Sequence, residues 1–97
     1  MRMSVPVLTS NAGTYALEWK DEGVQIFIDR VTDQRQSTTG EVTVRYKPPK
    51  ETQHGHLHQA RLNLTSTRER QTLTKHLSGR VRDIDWDAAI EQACVLV

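Results

Sequence analysis

His56-Leu57-His58-Gln59-Ala60-Arg61-Leu62-Asn63-Leu64-Thr65-Ser66-Thr67-Arg68-Glu69 is where the hydrophobic period changes, and it decides the fold. Up to Leu64 the apolar side chains alternate, with Ala60, Leu62 and Leu64 on one parity, as on a half-buried strand. His56 and His58 share that parity. Beyond Leu64 the alternation stops. Ser66 followed three residues later by Glu69 fits a capping box, in which the Ser side chain satisfies a free helix N–H and the Glu reaches back. The spacing predicts a helix from there to about Leu77, with Leu73 and Leu77 buried and Gly79 as a C-terminal stop.

Working outward, three earlier segments carry strand patterns. Residues 14–20 place Tyr15, Leu17 and Trp19 on one face. Residues 24–31 alternate Val24, Ile26 and Ile28, with Phe27 and Val31 on the other parity. Residues 41–47 point Val42, Val44 and Tyr46 inward, and Pro48-Pro49 ends that strand. Between the first two, Lys20-Asp21-Glu22-Gly23 reads as a tight turn with positive φ at Gly23. Residues 32–40 and 50–55 read as polar loops. Residues 1–13 end in Ser10-Asn11-Ala12-Gly13 and read as a flexible arm or first strand. After the first helix, Asp85 caps a second one, whose apolar stripe is Trp86, Ala89, Ile90, Ala93, Cys94 and Val97. A stripe with no stop signal implies a partner or a continuation. Short connections imply a meander. The expected fold is α+β: a four-stranded antiparallel sheet followed by two C-terminal helices, with residues 14–97 as a single domain.

Composition narrows the function. Ninety-seven residues support one modest core. A net charge of +1 excludes a uniformly basic nucleic-acid binder and leaves only a local patch. The single cysteine, Cys94, excludes an intramolecular disulfide and reads as a small core side chain. The N-terminal apolar run is too short for a secretion signal or a membrane span, so a soluble cytoplasmic protein is expected. No Gly-rich phosphate loop, nucleophile motif or cofactor motif is present, so neither catalysis nor a cofactor is expected. Trp19 and Trp86 read as core anchors.

Two sets of residues can carry chemistry. His54, His56 and His58 alternate, so on a regular strand their imidazoles would converge as metal ligands, with His76 or Glu69 completing the set. The competing expectation is exposed strand-end histidines and no metal. The second set is Arg61, Arg68, Arg70, Lys75, Arg80 and Arg82, which stand between residues 61 and 82 against the single acid Glu69. With neighbouring hydroxyls and a helix N-terminus, they are candidates for phosphate or partner contact. A solvated helix face, or pairing of Arg80 and Arg82 with Asp83 and Asp85, competes.

The segments His56–Arg68 and Asp85–Cys94, with an early Leu17-Glu18-Trp19, resemble a small domain found ahead of recombinase-type AAA ATPases in phage and plasmid replication proteins. The resemblance covers most of the chain, and its motifs are structural. It implies a non-enzymatic interaction domain of a mobile-element replication or recombination protein, contacting DNA or a partner ATPase. Two other classes stay open: a free-standing phage-type inhibitor or adaptor acting by protein–protein binding, and a metal-dependent hydrolase built on the histidines.

Overall fold

The structure, a computed structural model, describes residues 3–30 and 38–96. The first two residues of the expected arm, Val31, residues 32–37 of the loop expected over 32–40, and Val97 lie outside the described residues; Thr39 and Gly40, expected in that loop, are instead in a strand, paired with Asn63 and Leu62.

Among the described residues five strands form one antiparallel sheet in chain order: β1 (Val7–Asn11), β2 (Thr14–Trp19), β3 (Val24–Arg30), β4 (Thr39–Tyr46) and β5 (Gly55–Asn63). Two helices follow, α1 (Thr67–Arg80) and α2 (Trp86–Leu96). The α+β class, the meander and the two C-terminal helices are as expected, but the sheet has five strands rather than four. The added strand is β1, which lies in the segment read as a flexible arm or first strand and is a strand in the structure. All five of its residues are exposed, so it pairs with β2 through the main chain and buries no stripe. The hairpin that joins them has positive φ at both central residues, Ala12 at +50° and Gly13 at +88°. That combination suits a tight two-residue hairpin, whose twist matches the flanking strands.

Alternation builds the core. The register aligns Leu17, Ile26 and Val44 across β2, β3 and β4, and Tyr15, Ile28 and Val42 in the next row. These side chains face the helices. Leu73 and Leu77 of α1 and Trp86, Ala89, Ile90 and Ala93 of α2 close over them in a single buried cluster with Leu62 and Leu64. Tyr15, Tyr46 and Ala60, also expected inside, are half-buried and pack against the cluster's edge. Cys94 is also half-buried at the cluster's edge. Burial pushes its thiol above the usual range, with the Arg70 charge opposing.

Local rules account for the turns and most of the caps. Gly23 has φ +71°, and its carbonyl accepts from Lys47 N–H at 2.8 Å. Ser66 Oγ accepts from Glu69 N–H at 3.3 Å, the expected N-cap. Glu69 does not reach back to Ser66. Its carboxylate accepts from Asn63 N–H at 3.3 Å, so it ties α1 to the end of β5. Asp85 Oδ1 accepts from Ala88 N–H at 3.2 Å and caps α2. Trp86 is anchored by its indole N–H, which donates to Val81 C=O at 2.8 Å.

Gly79 does not stop α1. The helix runs through it to Arg80, and the chain turns extended at Val81. Val81 is the C-cap, its N–H still donating to Leu77 C=O while its own carbonyl accepts from the Trp86 indole. No helix among the described residues is long and apolar enough to cross a membrane.

Candidate functional site

The histidine alternation is broken by one residue. β4 and β5 pair regularly from Thr39↔Asn63 to Val44↔His58, but the next partner of Arg45 is His56. Leu57 is therefore an extra residue, a β-bulge, and beyond it the side chains change faces. His58 stays on the helix face in the row of Val44 and Ile26. His56 moves to the opposite face, beside Arg45, and is exposed. His54 precedes β5 and is half-buried, its Nε2 meeting no hydrogen-bond partner among the described residues. The expectation that His56 and His58 share a face with Ala60, Leu62 and Leu64 is thus corrected for His56. Among the described residues no group of three or more His, Cys, Asp or Glu side chains could hold a metal ion.

What His58 meets is His76. Their ring centroids lie 4.3 Å apart with planes tilted by 46°. The pKa of His58 is lowered from the ordinary 6.5, first by burial and then by the charges of His76, Arg80 and His56. The neutral imidazole is the favoured form at this position.

The basic residues divide among different surroundings. Arg61 stands on the face of β5 away from the helices, 3.8 Å from Glu41 in an exposed ion pair. Arg70 turns toward the other side of α1, where it donates to Leu64 C=O and Thr67 Oγ1, both at 3.4 Å. Arg80 donates to Leu57 C=O at the bulge. Arg68 and Lys75 are exposed and seven residues apart, so they share the solvent side of α1. Arg82 lies in the α1–α2 connection beside Asp83 and Asp85. The six do not form one patch.

Three of them nevertheless border a common feature. Between α1 and the open edge of β5 runs a groove of about 370 Å³. Ala60, Leu62 and Leu73 give it an apolar floor, and Thr72 and His76 line its helix side. Arg61 and Arg68 flank it, and Arg80 closes the bulge end. Ligand pockets commonly enclose about 300–1,000 Å³. Sequence reasoning named most of these residues but not the groove. The available signal was the position of Glu69, His76 and Arg80 on one helical stripe opposite an edge strand.

No family model matches the chain, and no significant match appears among curated proteins or solved structures.

Proposed function

We propose that this domain is a non-enzymatic interaction module that docks a partner protein. Its setting is the one the resemblance implies, a mobile-element replication or recombination protein working with an ATPase. The observation that carries the docking reading is the groove along β5. It joins an open sheet edge, an apolar floor and flanking cations in one place, the composition of a peptide-binding cleft. The alternative of a hydrolase built on His54, His56 and His58 has little geometric support, because the bulge sends His56 to the opposite face. Duplex contact is the second reading. It rests on Arg68 and Lys75, which are exposed and whose side chains have no hydrogen-bond or ion-pair partner among the described residues.

Photo-crosslinking tests the proposal. A benzophenone-bearing residue replaces Thr72 in the groove or, as control, Glu51 in an exposed loop. We expect one host protein, identified by mass spectrometry, to crosslink at position 72 only. The same protein, purified, should rebind the domain and lose that binding in Thr72→Arg. Fluorescence anisotropy with labelled DNA is run beside it over a salt series. If no protein crosslinks, and DNA binding shows a log–log slope that falls by about 0.9 per removed charge in Arg68→Gln and Lys75→Gln, nucleic acid replaces protein as the partner.

A further inference from the structure

We propose that the open edge of β5 receives an extended, acidic peptide segment of the partner as a sixth strand, lying between β5 and α1. This rests on the reading of the domain as a protein-docking module and assigns its binding mode.

The direction of the main-chain groups follows from one hydrogen bond. Leu64 N–H donates to Thr38 C=O at 3.0 Å, continuing the β4–β5 register. In an antiparallel ladder, directly bonded pairs alternate with pairs whose N–H and C=O groups point away. Leu62, Ala60 and His58 therefore bond to β4. Asn63, Arg61 and Gln59 turn their main-chain groups to the open edge. The β3–β4 ladder agrees: Lys47 N–H donates to Gly23 C=O at 2.8 Å, which assigns the odd residues of β4 to β3 and leaves the even ones for β5.

α1 satisfies that edge at its two ends and leaves the middle. At one end Asn63 N–H meets the Glu69 carboxylate, and at the other Leu57 C=O accepts from Arg80. Between them the main-chain N–H and C=O groups of Gln59 and Arg61 have no hydrogen-bond partner among the described residues. Edge strands are normally covered, charged or twisted away. Here α1 covers the two ends of the edge, and the groove opens beside its middle. The lengths match as well. Asn63 to Leu57 spans about 20 Å at ~3.3 Å per residue, and Glu69 to Arg80 spans about 16 Å at 1.5 Å per residue. The helix thus forms a second wall along the strand.

Charge selects the occupant. Arg68 on α1 and Arg80 at the bulge end are the cations on the helix side of the groove, whereas its one acid, Glu69, is bonded to Asn63 N–H, and Arg61 is paired with Glu41 on the other face. A strand with carboxylates two residues to either side of an apolar residue presents all three to the helix face, where Arg68, Arg80 and the floor of Ala60, Leu62 and Leu73 stand. The opposite sheet edge does not compete. β1 is exposed at every residue and has no helix beside it to make a second wall.

The test uses random ten-residue peptides displayed on phage and the isotopically labelled domain. Selected peptides should carry Asp or Glu around an apolar residue. Their binding should slow amide hydrogen exchange at Gln59 and Arg61 at least tenfold. N-methylation at alternate peptide nitrogens should abolish binding, while methylation at the intervening ones is tolerated. Arg68→Glu, at an exposed position, should weaken binding more than tenfold with an unchanged melting temperature. The proposal is overturned if no peptide is enriched, if the enriched peptides are basic, or if bound peptides leave Gln59 and Arg61 exchanging as in the free domain. Protection of those amides that rises with protein concentration alone would assign the edge to a second copy and also overturn it. A host protein that crosslinks at position 72 without protecting Gln59 and Arg61 would refute the strand mode and leave protein docking standing.

Discussion

Replacing Gly23 and Gly79 by alanine adds the same methyl group twice, and we expect the two changes to move stability in opposite directions. Gly23 holds φ at +71°, and an alanine Cβ there would lie 2.4 Å from the carbonyl oxygen of Lys47. The left-handed conformation costs an alanine about 1–2 kcal/mol. Moving the Lys47 peptide aside also strains its bond to Gly23 C=O, and a lost backbone hydrogen bond costs roughly 0.5–1.5 kcal/mol. The sum is a destabilisation of roughly 1.5–3.5 kcal/mol. Gly79 lies inside α1, and a Cβ there meets nothing within 4 Å. Alanine at such a site stabilises by about 0.4–1 kcal/mol, chiefly by restricting the unfolded chain. In a domain of this size each kcal/mol moves the melting temperature by about 4–8 °C. Gly23→Ala should therefore lower it by roughly 6–28 °C, and Gly79→Ala should raise it by roughly 2–8 °C. Circular dichroism melts read both, and urea titrations with an unchanged m-value confirm that stability has changed without a change in the surface exposed on unfolding. A lower melting temperature for Gly79→Ala would show that Gly79 ends the helix in a left-handed conformation. An unchanged one for Gly23→Ala would show that the turn relaxes freely. Either result refutes the reasoning.

Trp86→Ala should cost about 3–5 kcal/mol in urea denaturation, because it empties a fully buried site and orphans the Val81 carbonyl; a change near zero would mean that α2 does not depend on this anchor. The lowered pKa of His58 means that the unfolded chain takes up its proton first on acidification, so the stability tied to neutral His58 is present above pH 6.5 and lost as the pH falls through the histidine range. Urea midpoints from pH 7.5 to 5 should fall less in His58→Gln than in the parent, and parallel curves would remove His58 from the account. Equimolar zinc should leave the melting temperature unchanged, since a ligand bound only by the folded state would raise it; a rise abolished by His56→Ala with His58→Ala would show that the two imidazoles do converge.

The sequence determined the parts of this protein that obey short-range rules. Strict alternation placed Leu17, Trp19, Ile26, Ile28, Val42 and Val44 on the buried face, because a strand with one covered face tolerates no other parity. Ser66 and Asp85 marked the helix starts, because a capping oxygen acts within three residues of its own position. β1 stays undecided between arm and strand on sequence alone, because an edge strand exposed on both faces leaves no hydrophobic pattern. The tertiary structure decided the rest. The bulge at Leu57 depends on how β5 pairs with β4, and one inserted residue separated His56 from His58. α1 runs through Gly79 to Arg80, and the Val81 carbonyl beyond it meets the Trp86 indole, a contact between the two helices that the local signal of Gly79 does not encode. The candidate site is of this second kind. Its cations, its apolar floor and its outward main-chain groups come from a strand and a helix that meet only when the sheet and α1 pack, and no local spacing encodes the gap left between them.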